Sequence, residues 1–201
     1  MRTRKPASVR KAEITHAALE LSFEVGPDRV TTAMIAELLG LTQPAIYKHF
    51  PNKNDIWNTV TDELCNRIDA NIRAAQNQPN PSARLRELMM GQLRLLHDYP
   101  ALPEIMVMRD PNAGTTALRT RILTSTGGLR KAIQSAMGEA QTMGHIRCDL
   151  DVEDCTNLIV SVVQGAALRL LRFREPEALL VTGERLLDLQ LSLLTEQGEI
   201  K

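Results

Sequence analysis

Apolar residues recur along the chain at three- and four-residue intervals, the period of helices that bury one side. Ile14, Ala17, Ala18, Leu21 and Val25 form a first stripe, stopped by Gly26-Pro27. Thr31 is placed to cap a helix over residues 32–39 that buries Ile35, Ala36 and Leu39. Gly40 supplies a left-handed residue to end it, and Leu41 plugs the turn. Thr42 caps the next, short helix, which buries Ile46 and Phe50 at i and i+4. A long segment from Lys53 to about Ala75 follows, with Asn52 and Asp55 as a capping box, until Pro79 and Pro81 end it. Ser82 is positioned to cap a helix carrying Leu85, Leu88, Met89, Leu93 and Leu96 as far as Tyr99-Pro100.

Further helices are predicted over Leu102 to Met108, closed by Pro111, and over Thr115 to Met143, stopped by Gly144. The Gly127-Gly128 pair should weaken or bend the second of these, since glycine costs about 1 kcal/mol relative to alanine inside a helix. Asp151 with Asp154 caps a helix from Val152 to about Arg174, and Pro176 opens the last, which runs to near Glu196. Strand signals are almost absent, with aromatics at 3% and no alternating Val/Ile/Thr run. The chain therefore reads as all-α, with about nine helices.

The last two helices are apolar over more than one stripe. One carries Leu158, Ile159, Val162, Val163, Ala166, Ala167, Leu170 and Leu171, the other Leu179, Leu180, Leu186, Leu187, Leu191 and Leu194. Such faces need a second covering surface, either another layer of the same chain or a partner.

Composition changes the picture little: 43% hydrophobic residues fill a core across 201 positions, and the formal net charge is zero. The distribution of charge says more. Arg2, Arg4, Lys5, Arg10 and Lys11 precede the first acid, Glu13, as a basic arm able to follow a phosphate backbone or simply to aid solubility. Three scattered cysteines, Cys65, Cys148 and Cys155, argue for a reducing compartment. No signal-peptide pattern or membrane-length apolar run is present, so a cytoplasmic location without membrane contact is expected.

Two short helices joined by a three- or four-residue turn with a glycine make a helix-turn-helix, whose second helix enters the major groove of DNA. The residues facing away from the apolar side are Gln43, Pro44, Ala45, Tyr47, Lys48 and His49. Around them the sequence resembles the TetR family of one-component bacterial transcriptional regulators. The elements shared are Ala17-Ala18, Gly26, Ile35-Ala36, Gly40, Tyr47-Lys48-His49-Phe50 and Lys53, at fixed spacings over about 45 residues.

The resemblance implies an N-terminal three-helix DNA-binding domain, residues 1–52 with the basic arm. A helical ligand-binding and dimerisation domain, residues 53–201, would follow. It implies base contacts from Gln43, Pro44 and Tyr47, flanked by Thr42 and Ala45, with Lys48 facing a guanine edge or a phosphate. Phosphate contacts are implied for Thr32, His49 and Lys53, and Arg4 and Lys5 of the arm join the expected DNA surface. Two positions depart from the family. Ala33 stands where one member reads a base with arginine, and Ser22 where phenylalanine is usual, with Phe23 beside it. The second departure suggests a core filled from a shifted register or a rotated first helix.

Met89, Met90, Met106, Met108, Met137 and Met143 cluster in the middle of the chain, as core or as the lining of an adaptable cavity. The family's layout points to a small, apolar effector there. The expected lining is Met89, Leu93, His97, Met106, Met137, Val163 and Gln164, with His97 and Gln164 orienting the ligand as polar groups in apolar surroundings. The family also favours a homodimer through the last two helices. His145, Cys148, Asp149, Asp151 and Cys155 have no closed metal-ligand spacing and read as a polar loop. No catalytic pairing or phosphate loop is evident, so neither enzyme activity nor a cofactor is expected. The reading is a dimeric regulator, most simply a repressor, that binds palindromic operator DNA and is released by its effector. The competing classes are a helical interaction protein and a small-molecule-binding helical enzyme without DNA binding.

Overall fold

The computed structural model describes residues 6–107 and 115–195. Among these residues there are nine α-helices and no strand. They are α1 (Ala7–Val25), α2 (Thr32–Leu38), α3 (Gln43–Tyr47), α4 (Lys53–Ala75) and α5 (Pro81–Asp98), then α6 (Leu102–Val107), α7 (Thr115–Thr142), α8 (Val152–Phe173) and α9 (Leu179–Leu194). A 3-10 turn, Pro27–Arg29, joins α1 to α2.

The chain forms two compact units, one drawn from residues 1–64 and 101–122, the other from 65–100 and 123–201. The division falls within α4, between residues 64 and 65. In the first unit α1 packs on α2, and α2 on α3. Ile14, Ala17, Ala18, Ile35, Ala36, Ile46 and Phe50 form the core beneath them. Ser22 faces inward in the ordinary register, fully buried, and its hydroxyl donates to the Ala18 carbonyl at 2.5 Å. No shift or rotation of α1 is needed, because a buried hydroxyl bonded within its own helix leaves no unmet donor.

In the second unit α5 is the central helix, buried on nearly every side, with α8 and α9 packed against it and against each other. Close approach depends on glycine. A β-carbon on Gly183 would stand 2.8 Å from Leu93 Cδ1 and Cδ2, and one on Gly91 would stand 2.9 Å from Asn71 Cγ. On the rim, Arg86 bridges α5 to Glu184 at 2.5 Å and to Asp188 on α9.

Several helix ends differ from expectation. Asn80, not Ser82, caps α5: its side chain accepts from Ala83 N at 2.8 Å, with Pro81 in the first turn. Ser82 instead lies 3.2 Å from His145 Nδ1. Thr42 occupies the cap position of α3 without a side-chain cap bond. Helix α7 runs through Gly127-Gly128, and α9 begins at Leu179, after Pro176. Helix α1 begins at Ala7, so Arg10 and Lys11 are helical and not part of an arm. Arg10 pairs with Glu13 at 2.7 Å, and Lys11 Nζ lies 5.3 Å from the centre of the Phe50 ring. Among the described residues no helix is long and apolar enough to cross a membrane.

Candidate nucleic-acid interface

The turn between α2 and α3 is built by two hydrogen bonds and one glycine. Gly40, at φ 59°, donates to the Glu37 carbonyl at 3.0 Å, and Leu41 donates to that of Ala36 at 2.7 Å. This paired closure satisfies the last carbonyls of α2 and needs the left-handed residue that glycine adopts without strain. At the other end of α2, Thr31 accepts from Met34 N at 3.2 Å. Two caps and a short turn therefore set the angle at which α3 leaves α2.

Helix α3 presents two faces. Ile46 and Phe50 are sealed in the core, while Thr42, Gln43, Pro44, Tyr47 and Lys48 are exposed and Ala45 and His49 half-buried. Tyr47 is 44% exposed, although its hydroxyl is engaged. Thr32 is the point where this surface is organised. Only 5% exposed, it accepts from Gln43 Nε2 at 2.7 Å and lies 3.2 Å from the Tyr47 hydroxyl. One buried side chain on α2 therefore holds two exposed side chains a turn apart on α3. Its burial in the protein was not legible from the position implied for it as a phosphate contact.

Past α3, Asn52 accepts from Asp55 N at 2.9 Å, and its amide donates to the Asp55 carboxylate at 2.9 Å. The box starts α4 with Lys53 half-buried at its first position. Arg4 and Lys5 lie outside the described residues.

Of the seven residues expected to line an effector cavity, six fall in the second unit. Met89, Leu93 and Met137 are buried in the core of the second unit, and Val163 is half-buried there. Met106 belongs to the first unit. Gln164 is exposed, and His97 is partly exposed with Nδ1 3.0 Å from Asp98 Oδ1, so neither stands in apolar surroundings. Both sit where their helices turn toward solvent. A buried polar group that went unnoticed is Gln92, 5% exposed, whose Nε2 has no hydrogen-bond partner. Its setting was visible in sequence: Leu88, Met89, Leu95 and Leu96 flank it at helical spacing.

A groove of about 340 Å³ runs between α8 and α9, lined mainly by Val162, Leu168, Phe173, Leu179 and Leu186, and it includes none of those seven residues. The His145–Cys155 loop disperses its candidate ligands. Arg147 forks onto Asp149 at 3.0 and 2.6 Å, and these hydrogen bonds lower the Asp149 pKa. Burial, followed by Asp151 and Asp154, raises that of the Cys155 thiol.

Residues 14–60 match the model of the bacterial regulatory proteins of the tetR family. The HTH-type transcriptional regulator TtgR of Pseudomonas putida is 28% identical over 199 residues, covering 96% of this chain and 95% of that one. Nucleoid occlusion factor SlmA of a Marinomonas species is 23% identical over 160 residues, 78% of this chain and 80% of the other. Among solved structures, the ketosteroid transcriptional regulator KstR2 of Mycobacterium tuberculosis shares the fold at TM-score 0.80 and 20% identity, covering 94% of this chain and 96% of that one. The regulator FadR from Bacillus subtilis, in complex with stearoyl-CoA, does so at TM-score 0.67 and 21% identity, covering 90% and 97%. The capped α2, the glycine turn and the exposed face of α3 all lie in the stretch that matches the tetR family of bacterial regulatory proteins, and the relatives that are similar over nearly the whole chain are HTH-type transcriptional regulators.

Proposed function

We propose that the protein is a cytoplasmic repressor that binds a palindromic operator as a homodimer and leaves it when an apolar effector binds the second unit. The observation carrying this reading is the exposed row Gln43, Pro44, Tyr47 and Lys48 on a helix whose other side is sealed by Ile46 and Phe50. In a major groove Gln43 and Tyr47 would meet base edges, while His49 and Lys53 would meet phosphates. Lys53 adds its charge to the positive end of the 23-residue α4.

Dimerisation through α8 and α9 is supported by a bare apolar stripe. Leu158 and Phe173 on α8, and Leu186, Leu189 and Leu193 on α9, are all exposed, and Phe173 and Leu186 line the groove described above. A two-fold partner presenting the same stripe would cover it. Two protomers would then offer their α3 helices to half-sites one helical turn, about 34 Å, apart.

For the effector, the buried Met89, Leu93 and Met137 offer an adaptable apolar wall, and Gln92 a donor awaiting an acceptor. The likeness to FadR, whose structure holds stearoyl-CoA, favours an apolar molecule with a polar end. A gel shift with DNA flanking the protein's own gene tests the proposal. A retarded band carrying two protomers, abolished by an added apolar metabolite extract, is the expected result. Equal affinity for an unrelated duplex of the same length would refute it.

A further inference from the structure

We infer that Thr32 is a specificity-determining positioning residue: it fixes Gln43 to read an adenine and is not itself a phosphate contact. This inference rests on the DNA-binding role proposed above. A hydroxyl has one hydrogen to donate and two lone pairs with which to accept. One lone pair of Thr32 takes the Gln43 Nε2 hydrogen at 2.7 Å, and the Tyr47 hydroxyl stands 3.2 Å away. A phosphate oxygen only accepts, so it would need the hydroxyl's single hydrogen, from a side chain that is 5% exposed. Burial opposes that use, and the Tyr47 oxygen at 3.2 Å competes for the same hydrogen.

The consequence for Gln43 follows from counting donors. A glutamine amide carries two N–H groups and one carbonyl. With one N–H spent on Thr32, one N–H and the carbonyl remain. That pair matches the N7 acceptor and N6 amino donor on the major-groove edge of adenine. A free glutamine must give up several rotatable bonds to present the pair, whereas one anchored to a buried hydroxyl has already lost that freedom. Tyr47, tied to the same hydroxyl, is held beside it. Base preference on this five-residue helix is therefore set partly from α2, by a residue that touches no base.

The test uses the full-length protein, the DNA fragment upstream of its gene and an unrelated duplex of equal length. The fragment is also made with each A·T pair of the protected half-site replaced in turn. Thr32→Val keeps the shape and removes the hydroxyl; Thr32→Ser keeps the hydroxyl. Thr32→Val should weaken binding to the upstream fragment about 10- to 100-fold, the range of one good base contact, and leave the unrelated duplex unchanged. At one A·T pair per half-site, a replacement costly to the wild type should cost Thr32→Val nothing. Thr32→Ser should keep the wild-type profile. Adding Gln43→Ala to Thr32→Val should be no worse than Gln43→Ala alone. An equal loss on both DNAs would mark a phosphate contact and overturn the inference. So would a full wild-type base profile in Thr32→Val, or a Thr32→Ser as impaired as the valine. A wild-type protein without preference for the upstream fragment would overturn the DNA-binding role as well. Wild-type preference retained in full by Thr32→Val would overturn the positioning role alone.

Discussion

Replacing Leu189 by arginine should convert the proposed dimer to monomers without unfolding the chain. Leu189 is 55% exposed, so a charged side chain there costs the isolated chain almost nothing. In a two-fold interface it costs twice. Full burial of such a side chain is worth about 1.5–3 kcal/mol, so covering its bare half contributes about 1 kcal/mol per protomer. Leu158, Phe173, Leu186 and Leu193 are comparably bare, and the five together offer roughly 4–7 kcal/mol per protomer, or about 8–14 for the dimer. Association itself costs on the order of 4–15 kcal/mol, so the stripe supplies most of the margin. Leu189→Arg removes about 2 kcal/mol of burial from the dimer and adds two desolvated, unpaired charges at several kcal/mol. A net loss of at least about 4 kcal/mol raises the dimer dissociation constant roughly a thousandfold. Sedimentation velocity across a dilution series reads the constant, and circular dichroism confirms that the helices persist. A variant that stays dimeric over the same range as the parent would show that the α8–α9 stripe is not the interface.

Other substitutions probe the remaining features. Tyr47→Ala should cost about 1–3 kcal/mol of operator affinity, and Lys53→Ala should in addition flatten the salt slope by about one unit, both with helical content intact. Wild-type binding by both in moderate salt would remove α3 from the recognition role. Gly40→Ala places a β-carbon at φ 59° and should destabilise the fold by about 1–2 kcal/mol in urea titrations; an unchanged midpoint would mean the turn readily adopts another form. Gln92→Met removes a buried donor with no partner and should gain about 1 kcal/mol in stability while blunting the effector response; a lower melting temperature would refute the first part. A thiol reagent should modify exposed Cys148 quickly, and buried Cys65 and Cys155 only on unfolding; Cys148→Ser should abolish the fast phase.

The helix-turn-helix was legible because local rules act there without competition. Gly40 closes α2, and Thr31 and Asn52 cap helices, using partners within five residues. The same is true of Asp151, which accepts from Glu153 N and Asp154 N. Where two local candidates stood side by side, one signal decided between them. Asn80 precedes a proline that suits the first helical position, and it took the cap of α5 from Ser82. Nothing between Pro6 and Ile14 breaks a helix, which is why α1 reaches back through Arg10 and Lys11. Burial of polar side chains was less legible, since it depends on which neighbours arrive. Gln164 and Gln92 both lie in apolar stretches, yet α8 leaves the first in solvent, while the packing around α5 encloses the second. The burial of Thr32 likewise depends on neighbours 11 and 15 residues away, Gln43 and Tyr47, whose side chains reach its hydroxyl.

The burial of α5 on nearly every side has a consequence during synthesis. Its partner α9 lies far along the chain: Arg86 and Glu184, which meet across the two helices, are 98 residues apart. At about 5–20 residues per second, a ribosome needs roughly 5–20 seconds between completing one and completing the other. Through that interval Leu85, Leu88, Met89, Leu93 and Leu96 emerge with no α9 to cover them. Any chain stopped before Gly183 keeps the Leu93 flank open, so a premature stop there leaves the otherwise buried face of α5 exposed to chaperones and proteases.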